Sequence, residues 1–207
     1  RVFEGETGEY YASEIQDLMG THVLDIWEVG FRELTNSDHP VNSIDDVKGL
    51  RIRTMDNKIH QAFWKSLGAD PVPMSWNEAY TAMQQKAIDG QENPLSIILG
   101  NNVAEVNKEL ALTDHVYSSI FFLISDNAWN ALTDEQQQIF KECAKEAGEY
   151  ERQEQRDQEE DALAKLEELG MKVTEPDKTA FIEASKKFQD QYKEQYKTVI
   201  DMVNAAK

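Results

Sequence analysis

Between Gly49 and Pro94 strand and helix signals alternate so closely that few architectures can hold them. Leu50-Arg51-Ile52-Arg53 alternates apolar and basic residues, the period of a strand with one buried face. From Lys58 to Leu67 the apolar residues Ile59, Ala62, Phe63 and Leu67 recur at helical spacing, and Gly68 marks the stop. Pro71-Val72-Pro73-Met74 reads as extended, because proline fixes φ and drives its predecessor out of the helical region. Ser75-Trp76-Asn77-Glu78 fits a capping box, and the helix behind it carries Ala79, Ala82, Met83 and Ala87 on one face. It stops before Gly90, in the polar corner Asp89-Gly90-Gln91-Glu92-Asn93-Pro94. Strand, helix, strand, helix and polar turn is the grammar of an α/β sheet whose ligands sit at strand ends.

The chemistry in this block stands out against the rest of the chain. Two arginines lie on the first strand of a protein with 39 acidic and 21 basic residues, a formal net charge of -18. A guanidinium stays charged and offers a planar fork of donors that matches a carboxylate with two parallel hydrogen bonds. An arginine at a strand end, next to an amide from a neighbouring turn, is a clamp for a small carboxylic acid. The acidic balance argues against nucleic acid or an anionic membrane as partner, since both reward clustered Lys and Arg.

Other chemistries find little support. Cys143 is the single cysteine, so an internal disulfide and a thiolate metal cluster are excluded. His22, His39, His60 and His115 lack metal-ligand spacing, and no cofactor is expected. Cys143 has no histidine nearby to activate it, and Gly5 and Gly8 do not form a phosphate loop. No apolar run is long enough to span a bilayer. The expectation is a protein that is not an enzyme.

A second informative segment runs from Thr133 to Gly170. Thr133-Asp134-Glu135-Gln136 forms another capping box, and no proline interrupts about 54 Å of predicted helix. Ile139, Phe140, Cys143, Ala147 and Tyr150 form one apolar stripe, Ala162, Leu163, Leu166 and Leu169 a second, and every residue from Glu151 through Asp161 is polar. A helix polar all round in its middle and apolar at both ends suits a bridge between two lobes better than a coiled coil. Pro176 suits a first helical turn, and Phe181, Ala184, Phe188 and Tyr192 give the next helix its apolar face.

The pieces Asp46-Val47-Lys48-Gly49-Leu50-Arg51-Ile52-Arg53, Leu67-Gly68-Ala69-Asp70-Pro71-Val72-Pro73-Met74 and Asp89 to Pro94 resemble the solute-binding proteins of tripartite ATP-independent periplasmic (TRAP) transporters, dicarboxylate-binding type. Gly30-Phe31-Arg32 upstream and Leu112 to Ser118 downstream extend the resemblance in family order over nearly the whole chain. It implies an α/β, two-lobe periplasmic-binding-protein-like fold with a long helix spanning both lobes. The match begins partway into the family pattern, so the expectation is an N-terminally truncated chain with an incomplete first lobe. Residues 1–29 and 119–158 are expected to be the remnant of the N-terminal lobe, and 30–118 and 159–207 the C-terminal lobe.

The resemblance also implies roles. Arg53 falls on the family arginine that grips the substrate carboxylate, and Asn93 on the amide that assists it. Arg32 matches a second arginine near the cleft; an ion pair between lobes is the alternative. Trp76 falls where relatives place an aromatic residue against the ligand, although on sequence alone such a residue is more often a hydrophobic lid on its own helix. Tyr117 and His115 lie at the strand crossing, in a hinge or cleft position, whereas Arg51 reads as a surface charge. The implied function is an extracytoplasmic, periplasmic carrier that closes two lobes around a small organic acid and delivers it to TRAP membrane subunits, without spanning the membrane itself. A ligand-sensing domain of the same fold, serving a signalling partner, is the alternative.

Overall fold

The computed structural model describes residues 2–206. In chain order the elements are α1 (Glu6–Met19), β1 (Thr21–Asn36), β2 (Arg51–Thr54), α2 (Lys58–Ser66), β3 (Asp70–Pro73), α3 (Trp76–Gln84), β4 (Gly90–Asn93), α4 (Leu95–Gly100), β5 (Glu109–Ser125), α5 (Asp126–Asn130), α6 (Asp134–Glu168), β6 (Lys172–Thr174), α7 (Lys178–Asp190) and α8 (Lys197–Ala205). The fold is mixed α/β, with six strands among the described residues in the order β3-β2-β4-β1-β5-β6. β2 runs parallel to β3 and β4, β5 parallel to β6, and β1 antiparallel to β4.

The chain divides into two compact units: Arg1–Val29, Ser119–Arg156 and Tyr192–Lys207, and then Gly30–Ser118 with Asp157–Gln191. In the first unit, Tyr11 of α1 meets Phe3 and Phe121 at ring separations of 5.9 and 6.3 Å, and Trp27 meets Phe122 at 5.0 Å. The end of the chain, expected to continue the second lobe, joins this unit because α8 packs on α1.

The second unit buries apolar side chains on several helices. Met83, Ile88, Leu95, Ile98, Val103, Leu110, Leu166 and Met171 form one cluster with Ala104 and Ala162. Phe63 and Trp64 of α2 and Phe181 and Phe188 of α7 are buried as well, with the Phe63 and Phe188 rings 5.7 Å apart. The expected local signals hold here. Ser75 and Glu78 complete the capping box of α3, and Asn57 caps α2 by accepting from Ile59 and His60. Gly90 is a packing requirement: a Cβ there would lie 1.8 Å from the Thr35 carbonyl oxygen on β1, so no larger residue fits the β1–β4 contact.

α6 runs unbroken for 35 residues, with residues through Arg156 in the first unit and those from Asp157 in the second. Its polar middle is polar for a definite reason. Glu151 accepts from the Glu28 amide at 3.0 Å, Gln155 donates to the Val29 carbonyl at 2.8 Å, and Arg156 pairs with Glu28 at 2.8 Å. These side chains bind the backbone and carboxylates of β1 rather than solvent alone. The apolar stripe expected near its start is not buried: Ile139, Phe140 and Tyr150 are exposed, while Ala144 is buried. Gly148 lies close to β1: a Cβ there would fall 1.6 Å from Asp25 Oδ2, so a larger residue would require the Asp25 side chain to move. Pro176 lies just outside α7, which Asp177 caps through the Thr179 amide. Among the described residues no helix is long and apolar enough to cross a membrane.

Candidate functional site

The two arginines of interest sit on the strands that flank β4. Arg53 of β2 is in register with Gln91 of β4, and Asn93 lies two residues further along the same side. Arg32 belongs to β1, whose Leu34 and Glu33 pair with Glu92 and Asn93. The C-terminal end of β4, where Asn93 precedes Pro94 and α4, is thus reached from both neighbours.

Arg32 is fully engaged. Its Nε pairs with Glu92 Oε2 and its Nη2 with Glu92 Oε1 at 3.0 Å. Nη2 also donates to the Glu92 carbonyl at 2.6 Å and to Asn93 Oδ1 at 2.9 Å, and Nη1 reaches Ser118 Oγ at 3.4 Å. The ion pair weighed for this arginine therefore exists, but inside the second unit. Its partner carboxylate, Glu92, is completely buried. Burial alone would raise its pKa, yet hydrogen bonds and charge from His115 and Arg32 hold it down at about 2.

His115 is committed to the same group. Nε2 lies 3.0 Å from Glu92 Oε2 and Nδ1 2.7 Å from Thr113 Oγ1, so the protein occupies both ring nitrogens. The ring packs 4.8 Å from Trp64 and stacks on Phe63 at 6.2 Å. Asn93 continues the network, donating to Gln91 Oε1 at 2.6 Å, while Gln91 donates to Thr35 and Thr35 to Asn107. Sequence reasoning missed Glu92, Gln91 and Thr35; the one available signal was the polar run Gln91-Glu92-Asn93, which the structure buries in β4.

Arg53 differs from Arg32. Only 5% exposed, it donates Nε and Nη2 to one acceptor, the Met74 carbonyl, at 3.0 and 2.9 Å. Among the described residues no carboxylate lies within ion-pair distance of it. Its guanidinium carbon sits 5.2 Å from the centre of the Trp76 ring, a cation–π arrangement. Burial lowers its pKa, with the Glu92 charge opposing and the Arg32 charge assisting that shift. Trp76 opens α3 and donates Nε1–H to Asn101 Oδ1 at 3.0 Å. Tyr117 is 41% exposed and meets Phe31 edge-on at 5.3 Å. Arg51, expected on the surface, is half-exposed and held by Asp89 at 2.6 Å and by the Ala87 carbonyl. No set of three metal-ligating side chains occurs among the described residues.

A second carboxyl pair borders the network. Glu33 Oε2 accepts from the Asp114 amide at 3.0 Å, and Asp114 forms an ion pair with Lys178. Burial first, and the hydrogen bond to Asp114 second, push Glu33 from the ordinary 4.5 up to about 8. Asp114 stays below its usual value despite burial, through Glu33 and Lys178. Between those two Glu33 values the folded chain keeps a proton that the unfolded chain releases, so stability falls as pH rises through the window. Glu33→Gln is expected to flatten that part of the melting-temperature curve against pH. A slope unchanged from the parent would refute the assignment.

The profile of the family described as Bacterial extracellular solute-binding protein, family 7 (DctP) matches residues 1–196. The chain belongs to this family. Sialic acid-binding periplasmic protein SiaP of Vibrio cholerae is 37% identical over 194 residues, covering 94% of this chain and 59% of its own length. The 2,3-diketo-L-gulonate-binding periplasmic protein YiaO of Escherichia coli is 35% identical, covering 89% of this chain and 56% of its own length. The present chain therefore spans little more than half of these two family 7 relatives. A TRAP periplasmic solute-binding protein from Chromohalobacter salexigens, solved with D-glucuronate, superposes with a TM-score of 0.93 at 28% identity, covering 99% of this chain and 68% of that one. The sugar acid-binding protein DctPAm from Advenella mimigardefordensis, solved with galactonate, gives 0.91 at 32% identity, with 100% and 69% covered.

Proposed function

We propose that this family 7 protein captures a small organic acid anion outside the cytoplasm and delivers it to a TRAP membrane permease. Arg53 is the anchor for the carboxylate. The observation that carries this reading is a buried guanidinium whose protein hydrogen bonds go to a single backbone carbonyl, while its neighbour Arg32 has a full set of partners. A buried cation without a carboxylate partner is costly, and an arriving carboxylate supplies the missing charge with two parallel hydrogen bonds.

In this proposal Asn93 assists at the end of β4 and Trp76 forms an apolar wall. Arg32 holds Asn93 directly by donating to its Oδ1, His115 and Glu92 fix Arg32, and Tyr117 lies at the margin of the site. The ligands named for relatives, among them glucuronate, galactonate and erythronate, support a hydroxylated acid as the substrate class.

Calorimetric titration of the full chain with D-glucuronate, galactonate, D-erythronate and sialic acid tests the reading. At least one acid is expected to bind, and the matched uncharged compounds glucose and erythritol are not. The bound acid should be recovered chemically unchanged, as for a carrier. Failure of every acid to bind, or equal binding of the uncharged pair, would overturn the proposal.

A further inference from the structure

We propose that Asn101 is a positioning residue for this clamp: it fixes the plane of the Trp76 indole, and the indole keeps the Arg53 guanidinium presented for an acid. The inference rests on the reading of Arg53 as anchor. The three residues Arg53, Trp76 and Asn101 come from separate parts of the second unit: β2, the start of α3, and the residue that ends α4.

The backbone position of Trp76 is set by the capping box before it, but that leaves the ring free to turn. The outer torsion of a tryptophan side chain is broad, so the ring plane is decided by what the indole touches. Here the ring packs on the edge of the apolar cluster, and its one polar atom is held by a hydrogen bond, Trp76 Nε1–H to Asn101 Oδ1 at 3.0 Å. The Asn101 amide is itself oriented, because its Nδ2 donates to the Ile97 carbonyl at 2.8 Å. With the donor end tied there, the acceptor end is left for the indole.

Arg53 needs such a wall. Both of its bonded nitrogens converge on the single Met74 oxygen, which ties one edge of the fork and leaves the rest to be held by packing. The ring face, 5.2 Å from the guanidinium carbon, supplies that packing and an electrostatic attraction to the cation. A side chain that only ended α4 would need the Ile97 bond and nothing more. The indole bond is the excess to be explained.

Two substitutions separate the roles. Asn101→Ala removes both bonds, whereas Asn101→Asp keeps an oxygen for the indole and loses the donor to Ile97. In the ligand-free, ¹⁵N-labelled full chain, the Trp76 Nε1–H and Arg53 Nε–H resonances are assigned through Trp76→Phe and Arg53→Lys. Both are expected to shift and to exchange faster with solvent in Asn101→Ala, whereas in Asn101→Asp, which keeps an acceptor for the indole, both should exchange more slowly than in the alanine variant. An unmoved Arg53 resonance in Asn101→Ala, or an Asn101→Asp protein that behaves like the alanine variant, overturns the proposal.

In titrations with the tightest-binding acid of the panel above, Asn101→Ala should weaken binding about three- to tenfold, the scale of a lost cation–π contact. That loss should vanish in a Trp76→Phe background, because the indole N–H is already gone. A loss that persists there also overturns the proposal. A chain that binds none of the acids would refute the anchor reading, and the resonance measurements would still decide whether Asn101 positions Arg53.

Discussion

Replacing Arg32 by alanine is expected to destabilise the second unit by about 3–5 kcal/mol, the cost of leaving a buried charge without its partner. Glu92 is wholly buried and held ionised by Arg32 and His115 together, so the variant leaves one of its two charged supports in place. Protonation of Glu92 offers partial relief, which would appear as a carboxyl titrating well above its parent value. Urea unfolding at neutral pH measures the loss. The double variant Arg32→Met with Glu92→Leu removes both charges and should lie much closer to the parent than Arg32→Ala does. An Arg32→Ala protein within about 1 kcal/mol of the parent, the range of an exposed pair, would show that this network does not hold the strands.

Arg53→Lys is expected to act on affinity instead. The charge stays, but the planar fork that bonds a carboxylate in two places is lost. The expected loss is about 1.5–3 kcal/mol, the range for hydrogen bonds to charged groups, or roughly ten- to 150-fold in dissociation constant. Calorimetry against the acid that binds the parent measures it, with melting temperature as the control for folding. Arg53 has a backbone carbonyl as its hydrogen-bond acceptor, so its replacement should disturb the fold less than that of Arg32. Unchanged affinity in a well-folded variant would remove Arg53 from the site.

The contrast between these two arginines marks how far residue patterns reach. Between Gly49 and Pro94 the strands β2 and β3, the helices α2 and α3 and their caps were legible because each depends on neighbours a few residues away. Gly90–Asn93, expected as a polar turn, is instead the buried strand β4, since only pairing with β1 and β2 gives its polar residues partners. Prolines at positions 71 and 73 enforce extension, and Ser75 and Glu78 close a cap on themselves. The extent of α6 was legible for the same reason, from Thr133 at its start to Gly170 beyond its end. Its packing face was not. Ile139, Phe140 and Tyr150 look like an apolar stripe, yet Ala144 and Gly148 are the buried positions, with Asp25 of β1 close against Gly148.

The candidate site divides in the same way. The types and order of its residues, Arg32, Arg53, Trp76, Asn93 and His115, are in the sequence, and they carry the resemblance that family membership bears out. Their partners are not. Nothing local tells that Arg32 is bonded to Glu92, sixty residues away, or that Trp76 is bonded to Asn101, twenty-five away. Local backbone preferences are decided by sterics and hydrogen bonds within a few residues, so the sequence by itself determined β2, α2, β3, α3 and the course of α6. It did not determine strand β4 or the ends of α7, which begins after Pro176 and stops before Tyr192. Only the tertiary structure decided which arginine is neutralised, because strand order inserts β4 between β1 and β2 and brings its one carboxylate to Arg32 rather than to Arg53.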